Sequence, residues 1–119
     1  MNNLAVHWFE ISVYNFDRAK AFYETIFDIK LSIIDLGAVT MAMFPGGPGA
    51  LCHGEWYKPS PDGVVLHLSV GDDLGAVLDR VERAGGQVLQ AKKQISPELG
   101  FMGLLLDSEG NRLALRSPK

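Results

Sequence analysis

Three short stretches carry side chains able to move a proton or hold a metal: "HWFEIS" at residues 7–12, "GALCHG" at 49–54 and "VVLHLSV" at 64–70. The first offers His7, Trp8 and Glu10, the second Cys52 and His53, the third His67. Laying "EISV" on "HLSV" puts Glu10 on His67 and Ser12 on Ser69. A carboxylate and an imidazole at equivalent places in two similar segments could exchange a proton with a ligand between them, or hydrogen-bond a polar ligand in place. With Cys52 or His53 as a third donor, Glu10 and His67 could instead hold a divalent metal, but two firm ligands seldom keep a catalytic ion. The expectation is a metal-free site, without cofactor, in which Glu10 and His67 act as acid and base. The plainer alternatives are a Glu10 that meets solvent or a neighbouring cation, and a His67 that is a satisfied core histidine.

The elements that must position these groups form a repeat. Phe16, Ala19, Phe22, Tyr23 and Ile26 recur at helical spacing after the first strand pattern; Leu74, Val77, Leu78, Val81 and Ala84 do so after the second. Asn15 or Asp17 can cap the first helix and Asp72 or Asp73 the second, which Gly85-Gly86 stops. Strand-like runs follow each helix: "KLSIIDL", "AVTMAMF" and "GALCHGEW", then "GQVLQAKK", "GFMGLLLD" and "NRLALRS". "YKPSPDG" is a linker, and "DSEGN" is a tight turn between two antiparallel strands. Each half thus reads strand–helix–strand–strand–strand, a duplicated module rather than a solenoid.

Alternation divides each first strand into two faces. Phe9, Ile11 and Val13, with Leu66, Leu68 and Val70, form an apolar set that belongs under the helices, and His7 falls at its outer end. Trp8, Glu10 and Ser12, matched by Val65, His67 and Ser69, form a mixed face suited to a partly wet cleft. Unpaired charge on it would be costly in a dry core.

A chain of 119 residues fits one domain, with a small core. Apolar residues at 47% and charged residues at 21% fit a globular protein. With a net charge of −3 and no Lys/Arg-rich run, nucleic acid is not an expected partner. A lone Cys52 excludes a disulfide within the chain and suits a reducing compartment. "MNNLAVHWFE" lacks the basic-then-apolar pattern of a signal peptide, and no apolar run nears the ~20 residues that span a bilayer. A cytoplasmic protein with no membrane partner is expected.

The stretches "FEISVYNFDRAKAFYETIF", "LHLSVGDDLGAVLDRVERAGGQVL" and "GFMGLLLDSEGNRLALRS" resemble the vicinal oxygen chelate superfamily, which includes glyoxalase I, bleomycin-resistance proteins and extradiol dioxygenases. The resemblance implies an α+β fold: one domain over residues 1–119, in which two βαβββ modules, about 4–56 and about 63–117, form curved mixed sheets around a cleft. In metal-dependent members the ligands come from the first and last strands of each module. Those positions align with Trp8, Val65, Ala114 and one residue within Ala50–His53, so the usual glyoxalase I activity is not expected. What the resemblance implies instead is a small glyoxalase-like protein that holds a small organic molecule between its modules. Trp8, Ser12, Met41, Met43, Cys52, Val65 and Ala114 would line the cleft, with core packing the plainer alternative for Trp8, Met41 and Met43, and Glu10 and His67 would serve a metal-independent lyase or isomerase step. The alternative is a non-catalytic binding or sequestering protein like the bleomycin-resistance members. The net charge of −3, with Trp8 and Trp56, suits a flat cationic guest. A homodimer is implied, because many members build clefts across chains.

Other features are weaker. Trp56 and Tyr57 could cover the cleft mouth or a dimer contact, and "KKQISPELG" reads as a loop that could bring Glu98 toward the cleft or simply be solvated. "FPGGPG" lacks the Lys-Ser/Thr of a phosphate loop, and no Gly-x-Ser-x-Gly elbow occurs.

Overall fold

The computed structural model describes residues 4–119; the first three residues of the expected domain, which begin "MNNLAVHWFE", lie outside the described residues. The first module runs β1 (Phe9–Ser12), α1 (Phe16–Phe27), β2 (Ser32–Asp35), β3 (Val39–Met43) and β4 (Gly49–Gly54). The second repeats it as β5 (Leu66–Ser69), α2 (Leu74–Val81), β6 (Gln87–Ser96), β7 (Gly100–Leu106) and β8 (Arg112–Ser117). This is the expected α+β pair of βαβββ modules. Each module forms a mixed four-stranded sheet, ordered β1-β4-β3-β2 and β5-β8-β7-β6. The helical crossover makes β1 parallel to β4 and β5 parallel to β8, and the hairpins make the remaining pairs antiparallel.

Both helices lie over one shared core. Phe22, Tyr23 and Ile26 of α1 and Leu74, Val77, Leu78 and Val81 of α2 pack with Ile11, Leu51, Leu105, Leu113 and Leu115 of the two sheets. Leu66, Leu68 and Val70 pack against the same cluster, as alternation requires. Gly86, just ahead of β6, lies against α1, where a Cβ would meet the Leu106 carbonyl at 2.5 Å and the Phe22 ring at 2.8 Å. No helix among the described residues is long and apolar enough to cross a membrane.

Local signals set the helix ends. Asn15 caps α1, its side chain accepting from the Arg18 N–H at 2.9 Å. Asp73 holds the cap position of α2 without a side-chain bond. The chain leaves α1 through Asp28 in the left-handed region at φ 54. Both ends of α1 then receive a charged side chain from the other module. At its N-terminus the Glu109 carboxylate accepts from the backbone N–H groups of Tyr14 and Asn15, at 2.9 and 2.8 Å, and from the Arg18 guanidinium at 2.8 and 3.0 Å. At its C-terminus the Arg80 guanidinium donates twice to the Ile26 carbonyl, at 3.0 and 2.8 Å. The anion meets the positive end of the helix dipole and the cation meets the negative end.

The Asp107–Asn111 turn carries more than a chain reversal. Asp107 accepts from the Tyr23 hydroxyl inside the core and from the N–H groups of Glu109 and Asn111, at 2.8 and 2.9 Å. The Asn111 amide donates to the Ser12 carbonyl at 2.8 Å, tying the turn to the end of β1.

One expected loop is mostly strand. β6 continues through "KKQIS" to Ser96, leaving Pro97, Glu98 and Leu99 as a turn. β7 satisfies that backbone in spite of three register shifts, and the Lys92 ammonium lies 4.9 Å from the centre of the Phe101 ring. Polar residues are admitted because β6 is an exposed edge.

Burial works against ionisation of Glu109, yet Arg18, the Asn15 N–H and Ser108 hold its carboxyl at about 2. A folded-state value below the ordinary one, ~4.3, contributes stability that is complete above that ordinary value and is lost as pH falls toward about 2. Replacing Glu109 with Gln should lower the unfolding free energy by about 2 to 3 kcal/mol at pH 7. Urea melts of the parent should weaken steeply between pH ~4 and ~2, and those of the Gln variant should lack that component.

Candidate functional site

The strand registers define a helix-free face on each sheet. Phe9 and Ile11 pair with Gly49 and Leu51 toward the helices, which turns Glu10 and Ser12, paired with Ala50 and Cys52, to the other side. Met43 and Met41 stand opposite Ala50 and Cys52 on that same side. In the second sheet His67 pairs with Ala114 and Ser69 with Arg116, while Leu66 and Leu68 pair toward the core. The helix-free faces therefore bring together Glu10, Ser12, Met41, Met43 and Cys52 on one sheet and His67, Ala114, Arg112 and Arg116 on the other. Trp8 and Val65, both half-buried, immediately precede β1 and β5. His7 is exposed ahead of β1, and His53 faces away from Cys52 into solvent.

The first face holds a connected polar cluster. The Tyr57 hydroxyl donates to Glu10 Oε1 at 2.9 Å, and the Trp8 indole N–H donates to Glu10 Oε2 at 3.3 Å. Cys52 is fully buried beside them. Burial, with the negative charge of Glu10, pushes its thiol up to about 12. The hydrogen bond to Glu10, with desolvation, pushes the Tyr57 phenol up to about 12 as well. The cluster is Glu10 with two neutral donors, Tyr57 and Trp8, beside a thiol whose burial disfavours the thiolate. It can present Glu10 at a fixed angle to a ligand hydroxyl or amine. Burial and the nearby Glu10 disfavour the Cys52 thiolate, the form that would act as a nucleophile.

Tyr57 is the member that sequence reading assigned only to the cleft mouth or a dimer contact. The Tyr57 N–H bonds the Gly54 carbonyl at 3.1 Å, so the chain doubles back as it leaves β4 and carries the phenol over the sheet. The "GEWY" spacing of that turn was the available signal. Arg112 and Arg116 were also missed, although they alternate with Leu113 and Leu115 and so share the face of Ala114.

A pocket of about 290 Å³ opens at the seam between modules, lined by Glu10, Ser12, Lys58, Asp62, Asn111 and Arg112 among others. His67 does not line it, and no hydrogen bond joins His67 to Glu10 among the described residues. Glu10 meets Tyr57 and Trp8, while His67 stands exposed over Ala114 on the second sheet.

The residues at the expected ligand positions do not suit a metal. Indole, isopropyl and methyl groups occupy Trp8, Val65 and Ala114, none of which can ligate a metal. No group of three or more His, Cys, Asp or Glu side chains able to hold a metal ion occurs among the described residues.

A sequence profile of the Glyoxalase/Bleomycin resistance protein/Dioxygenase superfamily matches residues 5–115. None of the curated proteins matches the chain. Among solved structures, a glyoxylase/bleomycin resistance protein/dioxygenase domain from Frankia sp. EAN1pec superposes with a TM-score of 0.75 at 18% identity, covering 99% of this chain and 100% of that one. A glyoxalase/bleomycin resistance protein/dioxygenase family enzyme from Burkholderia phytofirmans PsJN gives 0.72 at 14% identity, over 98% and 100%. TnmS3, an antibiotic binding protein from Streptomyces sp. CB03234, gives 0.67 at 21% identity, over 100% and 99%. At these identities the likeness is one of fold.

The state of Cys52 is directly measurable. At pH 8 its alkylation by iodoacetamide should be slower in the native protein than in urea by about a hundredfold or more, since the thiolate is the reacting form. A native rate close to the unfolded one would contradict the packing around Glu10 and Tyr57.

Proposed function

The chain belongs to the glyoxalase/bleomycin resistance protein/dioxygenase superfamily, and from that premise we propose that it binds a small organic molecule on the helix-free faces of its two sheets, without a metal. The observation that carries this reading is Glu10: an exposed carboxylate oriented by Tyr57 and Trp8 beside the seam pocket. Met41, Met43 and Ser12 supply half-buried contact surface around it. A carboxylate so held can accept a ligand hydrogen bond, and in a lyase or isomerase step it can take a proton. His67 is the partner acid in that reading, reached through the bound molecule rather than by direct contact.

Sequestration without turnover is the second reading. It is favoured by the two neutral donors on Glu10, which suit a fixed anchor, and by the similarity in fold to an antibiotic binding protein. A homodimer in the cytoplasm remains our proposal for the working form, with sedimentation velocity at micromolar concentration as its check.

Thermal shifts over a metabolite panel separate the readings. Glu10→Gln should reduce the shift of every hit, and a hit also weakened by His67→Ala and converted to product marks an enzyme. Hits that bind but never turn over mark a sequestering protein. Unchanged shifts in both variants would remove the two residues from the site, and a stoichiometric divalent ion in protein purified without chelator would overturn the metal-free reading.

A further inference from the structure

Arg112 is a charged side chain without a charged partner. It lies half-buried on the helix-free face of β8, on the second-module side of the seam pocket. Its Nε is buried and bonded to nothing, and its Nη2 reaches only the Gly63 carbonyl, at 3.3 Å. No carboxylate comes within ion-pair distance of it among the described residues. Arg112 therefore lines the pocket with one long hydrogen bond and no countercharge, and most of its donor capacity is unused. Lys58, from the linker, lines the same pocket and likewise has no ion-pair partner there.

We propose that the seam pocket takes the oxyanion, carboxylate or phosphate, of a small organic acid, with Arg112 as its fork and Lys58 as its second cation. This rests on the ligand site described above and names its ligand class. The planar guanidinium presents paired N–H donors that match two oxygens of one oxyanion, and its Nη groups make no hydrogen bond beyond the one to the Gly63 carbonyl. The pocket also holds Glu10 and Asp62, so its charges balance. Selectivity comes from the fork rather than from net potential. Glu10 is tied to its own wall by Tyr57 and Trp8, and its remaining acceptor capacity suits a hydroxyl or amine on the same acid. The ~290 Å³ volume limits the guest to a small molecule.

Arg116 provides an internal control. Its Nε is also buried and unpartnered, but it lines a different pocket, with Ser69 and Glu98. Melting temperatures of the full chain would be measured in sodium phosphate and in sodium acetate, each against sodium chloride at equal ionic strength. The expected result is a rise with one or both anions in the parent and in Arg116→Gln, and at least about tenfold weaker apparent affinity in Arg112→Gln. Arg112→Lys, which keeps the charge and loses the fork, should bind between the two. A response to phosphate alone assigns a phosphoryl group, and one to acetate a carboxylate. No response in the parent, equal loss in both Gln variants, or an undiminished response in Arg112→Gln each overturns the proposal. If Arg112→Gln keeps the anion response while Glu10→Gln still loses organic ligands, the anion assignment falls and the Glu10 site stands. If Glu10→Gln changes nothing while Arg112→Gln loses the anions, the Glu10 reading falls and the anion assignment stands.

Discussion

The fold depends on how the second module holds the first helix by its ends. Glu109 closes the N-terminus of α1 and Arg80 bonds its last turn. Each charge has the sign that the helix dipole favours, and each satisfies backbone groups that a helix cannot satisfy itself. A second copy of the same module could bury its apolar face in many registers. These polar bonds require one register, because a slip along the seam would leave a buried carboxylate against nothing. Apolar packing supplies most of the attraction, and the two charged contacts select the geometry.

That geometry reaches the candidate site within a few residues. β1 ends at Ser12, whose carbonyl takes the Asn111 amide, and Tyr14 and Asn15, which follow it, are bound by Glu109. Two residues before Ser12 on the same face stands Glu10. The turn that locks the modules therefore also sets the height and angle of the strand that presents the carboxylate. The same turn leads into β8, so Arg112 is positioned by the bonds that position Glu10. Both walls of the pocket thus hang from one turn, although the seam joins two halves of the chain.

The two-module fold was legible in the sequence because its signals are local and repeated. Alternation in "FEIS" and "LHLS" assigned the faces, and helical spacing assigned α1 and α2. Besides Arg112 and Arg116, three features escaped. The role of Glu109 depends on partners more than ninety positions away, and nothing near "DSEGN" marks it as more than a turn. β6 extends through "KKQIS" because β7 offers it a ladder, a tertiary effect that overrides the polar composition. Tyr57 joins Glu10 through a tight turn at the end of β4, which the "GEWY" stretch signals as a turn without naming the partner. Glu10 and His67 do lie on the equivalent faces that the repeat assigned. What the alignment could not give is which side chains each would meet there.

The repeat also shows how duplication leads to asymmetry. Backbone and core stay matched, since both modules must bury the same kind of apolar face. The helix-free faces are under no such constraint, and they differ in charge. On the first sheet Glu10 is the one charged residue among the paired positions of that face in β1, β3 and β4. On the second, His67, Arg112 and Arg116 occupy β5 and β8, and Lys93 stands opposite Met102 on β6. Two like walls would suit a ligand with two like ends. Within the seam pocket Glu10 lies on the first-module wall and Arg112 on the second, so the two walls offer an acceptor and a cation to one small molecule.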